Sequence, residues 1–294
     1  MLQTDEPLKD HTTFAIGGPA DFYLEPKNTE EMVAAVRFAH GAGLPFFILG
    51  GGANVLVADK GVRGLVINTA SFKDIRVEGN DLIAESGAPI SDAAARAAEA
   101  GLGGLAFLYS MPGSTGGAVW MNARCYGHSI FDILGPVECV TRDGSLQTYQ
   151  PRGADFDYKK SPFQDNKRVI LSVRFRLTAG DKKALWEEMA GYEEDRRQKG
   201  HFSAPSAGSV FKNNRSFGAP TGRLIDSLGL RGYRVGDAKI SDQHANIFVN
   251  AGGATADDMR RLIEHVEEQV QHQLGFRLER EVLFVGDWDD SRGA

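Results

Sequence analysis

Residues 44–57 read LPFFILGGGANVLV. Leu44 to Leu49 is a short apolar run held between glycines, which predicts a buried strand, and Val55 to Val57 predicts a second. A helix comes first: Asn28 to His40 has Asn28 or Thr29 as N-cap, Glu30 and Glu31 in its first turn and Gly41 past its end. In the dinucleotide-binding fingerprint the glycine loop follows a strand and opens a helix with GxGxxG spacing. Here it joins two strands, so a Rossmann unit is excluded. Gly50-Gly51-Gly52-Ala53-Asn54 presents successive amides with little side-chain cover, an arrangement that can converge on an anion such as a diphosphate. The same residues also serve as a plain turn between strands.

The second glycine-rich stretch is Met111-Pro112-Gly113-Ser114-Thr115-Gly116-Gly117-Ala118. Two such loops, each after an apolar run, favour one shared polyphosphate ligand over two unrelated turns. Glycine is abundant, 35 of 294 residues, and it is clustered between apolar segments and charged helices, so low complexity is excluded. The chain carries 33 Lys+Arg against 39 Asp+Glu, a net charge of -6, and therefore lacks the basic surplus that nucleic-acid binding needs. No apolar run is long enough to cross a bilayer, and MLQTDEPLKD lacks the form of a signal peptide. Cys125 and Cys139 make no disulfide framework, and no Cys/His cluster has metal spacing. A soluble cytoplasmic protein without a metal is expected, and no feature singles out an obligate protein partner.

Both parts of the chain read as mixed α and β. Leu65 to Asn68, Asp74 to Val77 and Leu82 to Ser86 predict short strands, and Ser91 is read as the cap of an alanine-rich helix ending near Gly101. Strands follow at Pro136 to Thr141, Leu146 to Tyr149 and Val169 to Leu177. Composition shifts at Gly180, which places a domain boundary near residue 180. Beyond it come a charged helix over Lys183 to Lys199, a short helix over Arg223 to Leu228, and a strand over Ala245 to Asn250. A half-buried helix capped by Thr255 and a last strand over Leu278 to Val285 complete the chain.

Several residues carry reactive groups. Ser209, between small residues, is read as a nucleophile, a proton donor or a turn residue; Phe211 breaks the G-x-S-x-G elbow and removes nucleophilic acyl transfer. His244 is a structural histidine or a site residue. Glu281 either faces inward, where it needs a partner, or points outward beside Glu279 on one strand face. Tyr158-Lys159-Lys160-Ser161-Pro162-Phe163 reads as a solvated basic turn, and Arg196 to Lys199 as an exposed helix end.

Seven ordered stretches together resemble one family: HTTFAIGGPAD (His11 to Asp21), ILGGGANVLVAD (Ile48 to Asp59), FLYSMPGSTGGAVWMNARCYG (Phe107 to Gly127), YKKSPF, PSAGSVFKN (Pro205 to Asn213), GRLIDSLGLRGYRVGDAKISDQHANIFVN (Gly222 to Asn250) and LEREVLFVG (Leu278 to Gly286). The chain resembles the UDP-N-acetylenolpyruvoylglucosamine reductases, flavoenzymes of peptidoglycan synthesis. The resemblance implies an α+β fold with a vanillyl-alcohol-oxidase/p-cresol-methylhydroxylase-type FAD-binding domain. That domain would span residues 1–180, as subdomains of about 1–68 and 69–180. A smaller α+β substrate-binding domain would span 181–294, with its last strand returning towards the flavin. The short stretch before Ser209 is similar to the subclass that lacks an inserted tyrosine loop.

For the cofactor, the resemblance implies FAD held by Gly50, Gly51, Gly52, Ala53, Asn54, Val55, Leu56, Pro112, Gly113, Ser114, Thr115, Gly116, Gly117 and Ala118, with Asn122 and Gly127 nearby. For the reaction, it implies hydride transfer from NADPH by way of FAD to an enolpyruvyl UDP-sugar, with Ser209 as proton donor and Glu281 as catalytic carboxylate. Lys159 stands where the family usually has an arginine that polarises the substrate carboxylate. Arginine grips a carboxylate with a planar fork whereas lysine is a flexible point charge, so the exchange is not neutral. Tyr158, Asn213, Arg231 and His244 are the implied substrate contacts. A flavin-dependent oxidase of a small alcohol or sugar, and a flavin-binding regulator without catalysis, are the alternatives.

Overall fold

The computed structural model describes residues 1–165 and 167–288. Its contacts divide the chain into two compact units, one of residues 1–3, 22–51 and 64–194, the other of residues 4–21, 52–63 and 195–294. Neither is a continuous segment. A composition shift near residue 180 marks the start of helix Lys182–Gln198, but most of that helix packs in the first unit, where Met189 is buried against Ala98 and Ala106.

In the first unit a five-stranded antiparallel sheet runs in the order Leu146–Tyr149, Leu134–Thr141, Arg168–Arg176, Asp81–Glu85, Ile75–Glu78. Alternation along Arg168–Arg176 puts Val173 and Phe175 into the core and leaves Arg174 at the surface, where it pairs with Glu78 and Asp81. Helices Ile90–Glu99 and Thr115–Trp120 share that core through Ala93, Ala97, Ala118 and Val119. The small alanine side chains let helix and sheet approach closely. A second, smaller core lies under helix Thr29–Gly41, where Asn28 accepts the Glu31 amide at 2.9 Å as N-cap. Strand Phe46–Leu49 pairs in parallel with residues 65–68, so the first glycine loop begins where a parallel ladder ends.

The second unit holds a four-stranded antiparallel sheet in the order Ser206–Ser209, Ile247–Asn250, Ala238–Ile240, Arg234–Val235. Helix Ala256–Leu274 lays Met259, Leu262, Ile263, Val266 and Val270 on its core. The Thr255 hydroxyl and Asp258 carboxylate cap that helix reciprocally, and Asp59 accepts the amides of Ala256 and Asp257 at 2.8 and 2.9 Å. Strand Val55–Val57 pairs in parallel with Leu283–Val285. That pairing joins residues more than two hundred positions apart, which is why residues 52–63 belong to this unit.

Three local expectations are corrected. Ser91 does not cap its helix: Pro89 occupies the N-cap with its ring-fixed φ, and the Ser91 hydroxyl instead accepts the Ser110 amide at 2.9 Å. The second glycine stretch is not all loop, because Ser114 accepts the Gly117 amide at 3.2 Å and starts helix Thr115–Trp120. The last strand is shorter than Leu278 to Val285. The amides of Glu281 and Val282 converge on the single carbonyl of Val210, at 2.7 and 3.3 Å, so regular alternation fails there and begins only at Leu283. Glu279 and Glu281 therefore do not share a strand face.

Candidate active site

Within the first unit the two glycine stretches touch. A Cβ on Gly50 would stand 2.3 Å from Ser114 Oγ, and one on Gly51 would stand 2.7 Å from Gly113 Cα. What approaches Gly50 is the Ser114 side chain, and what approaches Gly51 is the backbone of Gly113 and Ser114. The helix start then turns inward: Thr115 N donates to Ala88 O and Gly116 N to Ser86 O, each at 2.8 Å. Those two amides are unavailable to an anion. The amides of Gly50, Gly51, Gly113 and Ser114 have no acceptor among the described residues, and Gly51 is exposed. Four donors on two touching loops fit the demands of a diphosphate, as in FAD. Pro112 is exposed beside them, Gly117 is exposed, and Ala118 is buried in the helix core.

Asn122 and Gly127 are placed by protein contacts. Asn122, left-handed at φ 43°, accepts from Ser129 Oγ at 2.9 Å and donates to the Asp157 carbonyl at 2.8 Å. Its side chain organises loops. Gly127 (φ 86°) and Tyr126 (φ 51°) form the two-residue turn between Cys125 and His128, which pair across a short hairpin. Tyr158 and Lys159 sit at the tip of a tight turn closed by Asp157 and Lys160, and Lys159 is left-handed at φ 57°. A lysine in that region is uncommon and costs about 1 kcal/mol or more. Ser161 Oγ and Gln164 Nε2 donate to Trp120 O, the end of helix Thr115–Trp120, at 2.7 and 3.0 Å, Asn122 just past the helix donates to Asp157 O, and Gln164 Nε2 also donates to Lys159 O at 3.0 Å. The basic turn is thus tied to the end of the helix that the second glycine stretch begins.

In the second unit, Gly52 is left-handed at φ 62°, and a Cβ there would fall 2.0 Å from His11 O. Only glycine fits. Ala53 and Asn54 are half-buried, while Val55 and Leu56 are buried and pair with Leu283 and Phe284, so their side chains belong to the core. Asn54 Nδ2 donates to Glu281 O at 2.9 Å and Asn54 O accepts Leu283 N at 3.0 Å. Ser209 pairs with Ile247 at the end of its strand, and the next residue, Val210, accepts the Glu281 amide. Ser209 and Glu281, both half-buried, therefore lie on neighbouring backbone segments. Lys212 donates its amide to Glu279 O at 2.8 Å and pairs its ammonium with the Glu279 carboxylate.

Of the other substrate residues, Asn213 is exposed and accepts Thr221 N at 2.9 Å, which ties it to helix Thr221–Ser227. Arg231 is exposed and paired with Asp226. His244 Nδ1 accepts Asn246 N at 3.2 Å, so the neutral ring carries its proton on Nε2. Burial, then the nearby Lys199 and Arg231, lower its pKa. His201, with its ring 6.5 Å from that of His244, is pushed down to about 4, first by burial and then by Arg196. Asn246 and Gln164 are not singled out by the sequence, although Asn246 holds a site segment by accepting from and donating to Phe211, and Gln164 Nε2 donates to both Trp120 O and Lys159 O. Their signal was a polar residue opening an apolar strand and a glutamine just after a proline turn.

The FAD binding domain pattern matches residues 20–150 and the C-terminal domain of UDP-N-acetylenolpyruvoylglucosamine reductase matches residues 200–285. The reductase of Treponema denticola is 40% identical over 96% of this chain and 93% of its own length. That of Exiguobacterium sibiricum is 42% identical over 96% and 92%. The crystal structure of the Thermus caldophilus enzyme superposes with a TM-score of 0.82 at 35% identity, covering 97% of this chain and 98% of that one. Two mixed α/β units, four uncommitted amides suited to a diphosphate, and whole-length relatives agree: this chain belongs to the UDP-N-acetylenolpyruvoylglucosamine reductase family and is an FAD-containing oxidoreductase.

Proposed function

We propose that the chain reduces the enolpyruvyl ether of UDP-N-acetylglucosamine to UDP-N-acetylmuramate with NADPH, in cytoplasmic synthesis of peptidoglycan precursors. The observation that carries this reading is the backbone junction of Ser209 and Glu281 through Val210. In it, residues 1–180 chiefly serve the cofactor and residues 181–294 the substrate. The amides of Gly50, Gly51, Gly113 and Ser114 hold the FAD diphosphate. FAD when bound supplies hydride exchange between a nicotinamide and an enol ether.

The chain's own residues handle the proton and the negative charge. When the terminal carbon of the enol ether gains hydride, the π electron pair moves to the neighbouring carbon, next to the carboxylate. Ser209 Oγ–H supplies the proton there. A serine is a weak acid, so its alkoxide needs a fixed positive or dipolar environment. Lys159 binds the substrate carboxylate and draws off the developing charge, and Glu281 is the catalytic carboxylate. His244 presents Nε2–H, a neutral donor, and Tyr158, Asn213 and Arg231 bind the remainder of the substrate. Among the described residues no helix is long and apolar enough to cross a membrane.

The test is Ser209→Ala. Bleaching of the bound flavin by NADPH should persist while reduction of the sugar nucleotide falls on the order of 10²–10⁴-fold. Equal loss of both steps contradicts the proton-donor role.

A further inference from the structure

Beside Ser209 the sheet of the second unit breaks register. Strand Ser206–Ser209 pairs with Ile247–Asn250 through Ser206 with Val249 and Ser209 with Ile247, with an irregularity between. Past Ser209 the ladder cannot continue, yet Val210 and Phe211 are fully buried, and their backbone groups need partners. Asn246 supplies them. Its carbonyl accepts Val210 N at 2.9 Å, its Oδ1 accepts Phe211 N at 3.0 Å, and its Nδ2 donates to Phe211 O at 2.8 Å. The side-chain amide thus stands in for a missing ladder residue. Asn246 is 2% exposed, and its own amide is tied to His244 Nδ1.

On the opposite side the same segment bonds to residues 279–282: Lys212 N to Glu279 O, and Glu281 N and Val282 N to Val210 O. Residues 210–212 are therefore gripped from both flanks, and Ser209 and Glu281 take their relative placement from that grip. We propose that Asn246 is a positioning residue for the proton-transfer step, fixing Ser209 relative to Glu281 through its two-point hold on Phe211. This deepens the assignment of Ser209 as proton donor and rests on it. No other common side chain of this size offers one donor and one acceptor in a plane. Aspartate would set a carboxylate oxygen against the Phe211 carbonyl, and alanine would leave both Phe211 groups unpaired.

The experiment compares Asn246→Ala, Asn246→Asp and Ser209→Ala holoenzymes by anaerobic stopped flow, with NADPH bleaching the flavin and the enolpyruvyl sugar nucleotide restoring it. In Asn246→Ala bleaching should stay within about twofold, and recovery should slow about 10–100-fold with little change in substrate KM. Amide deuterium exchange, read on apoprotein as well, should quicken at Val210 and Phe211. Asn246→Asp should be impaired at neutral pH and regain recovery rate as pH falls, because a protonated carboxyl again offers a donor to Phe211 O. If Asn246→Ala does not fold, that pH-dependent regain in Asn246→Asp decides the matter, and its absence overturns the proposal. Unchanged recovery in Asn246→Ala, equal slowing of both steps, or unchanged exchange also overturns it. A Ser209→Ala enzyme with normal recovery sinks the proton-donor assignment, whereas slow Ser209→Ala with normal Asn246→Ala sinks the positioning role alone.

Discussion

The side-chain amide of Asn54 donates to the backbone carbonyl of Glu281 at 2.9 Å, so the end of the first glycine loop and the segment bearing the proposed catalytic carboxylate are fastened to each other. Leu283 N returns a bond to Asn54 O at 3.0 Å, and the parallel pairing of Val55–Val57 with Leu283–Val285 continues from there. A change in either segment is felt by the other.

Asn54→Ala removes that fastening without touching the parallel ladder. The half-buried Glu281 carbonyl loses a partner, so stability should fall by about 1–2 kcal/mol and turnover by about tenfold. Urea denaturation beside steady-state rates measures both. Full activity at reduced stability would show that Glu281 does not need the tether.

Gly51→Ala should displace the loops, because the new Cβ would lie 2.7 Å from Gly113 Cα and 2.9 Å from Ser114 N. The four-amide set would be disturbed, and the flavin Kd should rise at least about tenfold, since tight phosphate binding depends on converging donors. Flavin absorbance retained after dialysis reports it. Gly191→Ala is the contrasting change: Gly191 lies exposed within helix Lys182–Gln198 with nothing within 4 Å of the added Cβ. It should leave flavin bound and stabilise the fold by about 0.5–1 kcal/mol.

His201 makes stability depend on pH in a definite direction. Burial holds its folded pKa at about 4 against an ordinary 6.5. Between those values the unfolded chain binds a proton that the native chain refuses. The contribution is therefore complete above pH 6.5 and lost as pH falls towards 4, by on the order of 2–3 kcal/mol. His201→Gln should flatten that part of the stability profile in denaturant titrations. An unaltered slope would place its cause in other groups.

Lys159→Arg restores the planar fork at the turn tip. Substrate KM should drop several-fold while flavin bleaching by NADPH is untouched, whereas Lys159→Met should lower sugar reduction about 10²-fold, as expected for loss of a charge-stabilising group. Stopped-flow traces of the two steps separate these effects. An arginine variant no better than wild type would mean that the left-handed backbone at Lys159, fixed by Gln164, already aims the lysine well.

Much of this was legible from residues with local signatures. Asn28 and Thr255 announced their helices because a cap is a short-range hydrogen bond, and the strand before Gly50 was marked by apolar residues between glycines. The contact of Gly51 with Gly113 was anticipated only as a shared ligand; the sequence carried no sign that the loops pack on each other. The parallel pairing of residues 55–57 with 283–285 was equally hidden, since it depends on chain segments far apart. Alternation misled at Glu279 and Glu281 because it presumes an unbroken ladder, and the convergence of two amides on Val210 O breaks it. Lys159 read as a solvated turn, and only the bonds from Asn122, Ser161 and Gln164 to its surroundings show a built element.

Purified protein followed at the flavin absorbance band gives the most direct test of the central claim. The account predicts a yellow protein whose band is bleached by NADPH without oxygen and recovers, one equivalent for one, on addition of UDP-N-acetylglucosamine enolpyruvate. A protein that takes up no flavin, or whose reduced band the sugar nucleotide fails to restore, would contradict it.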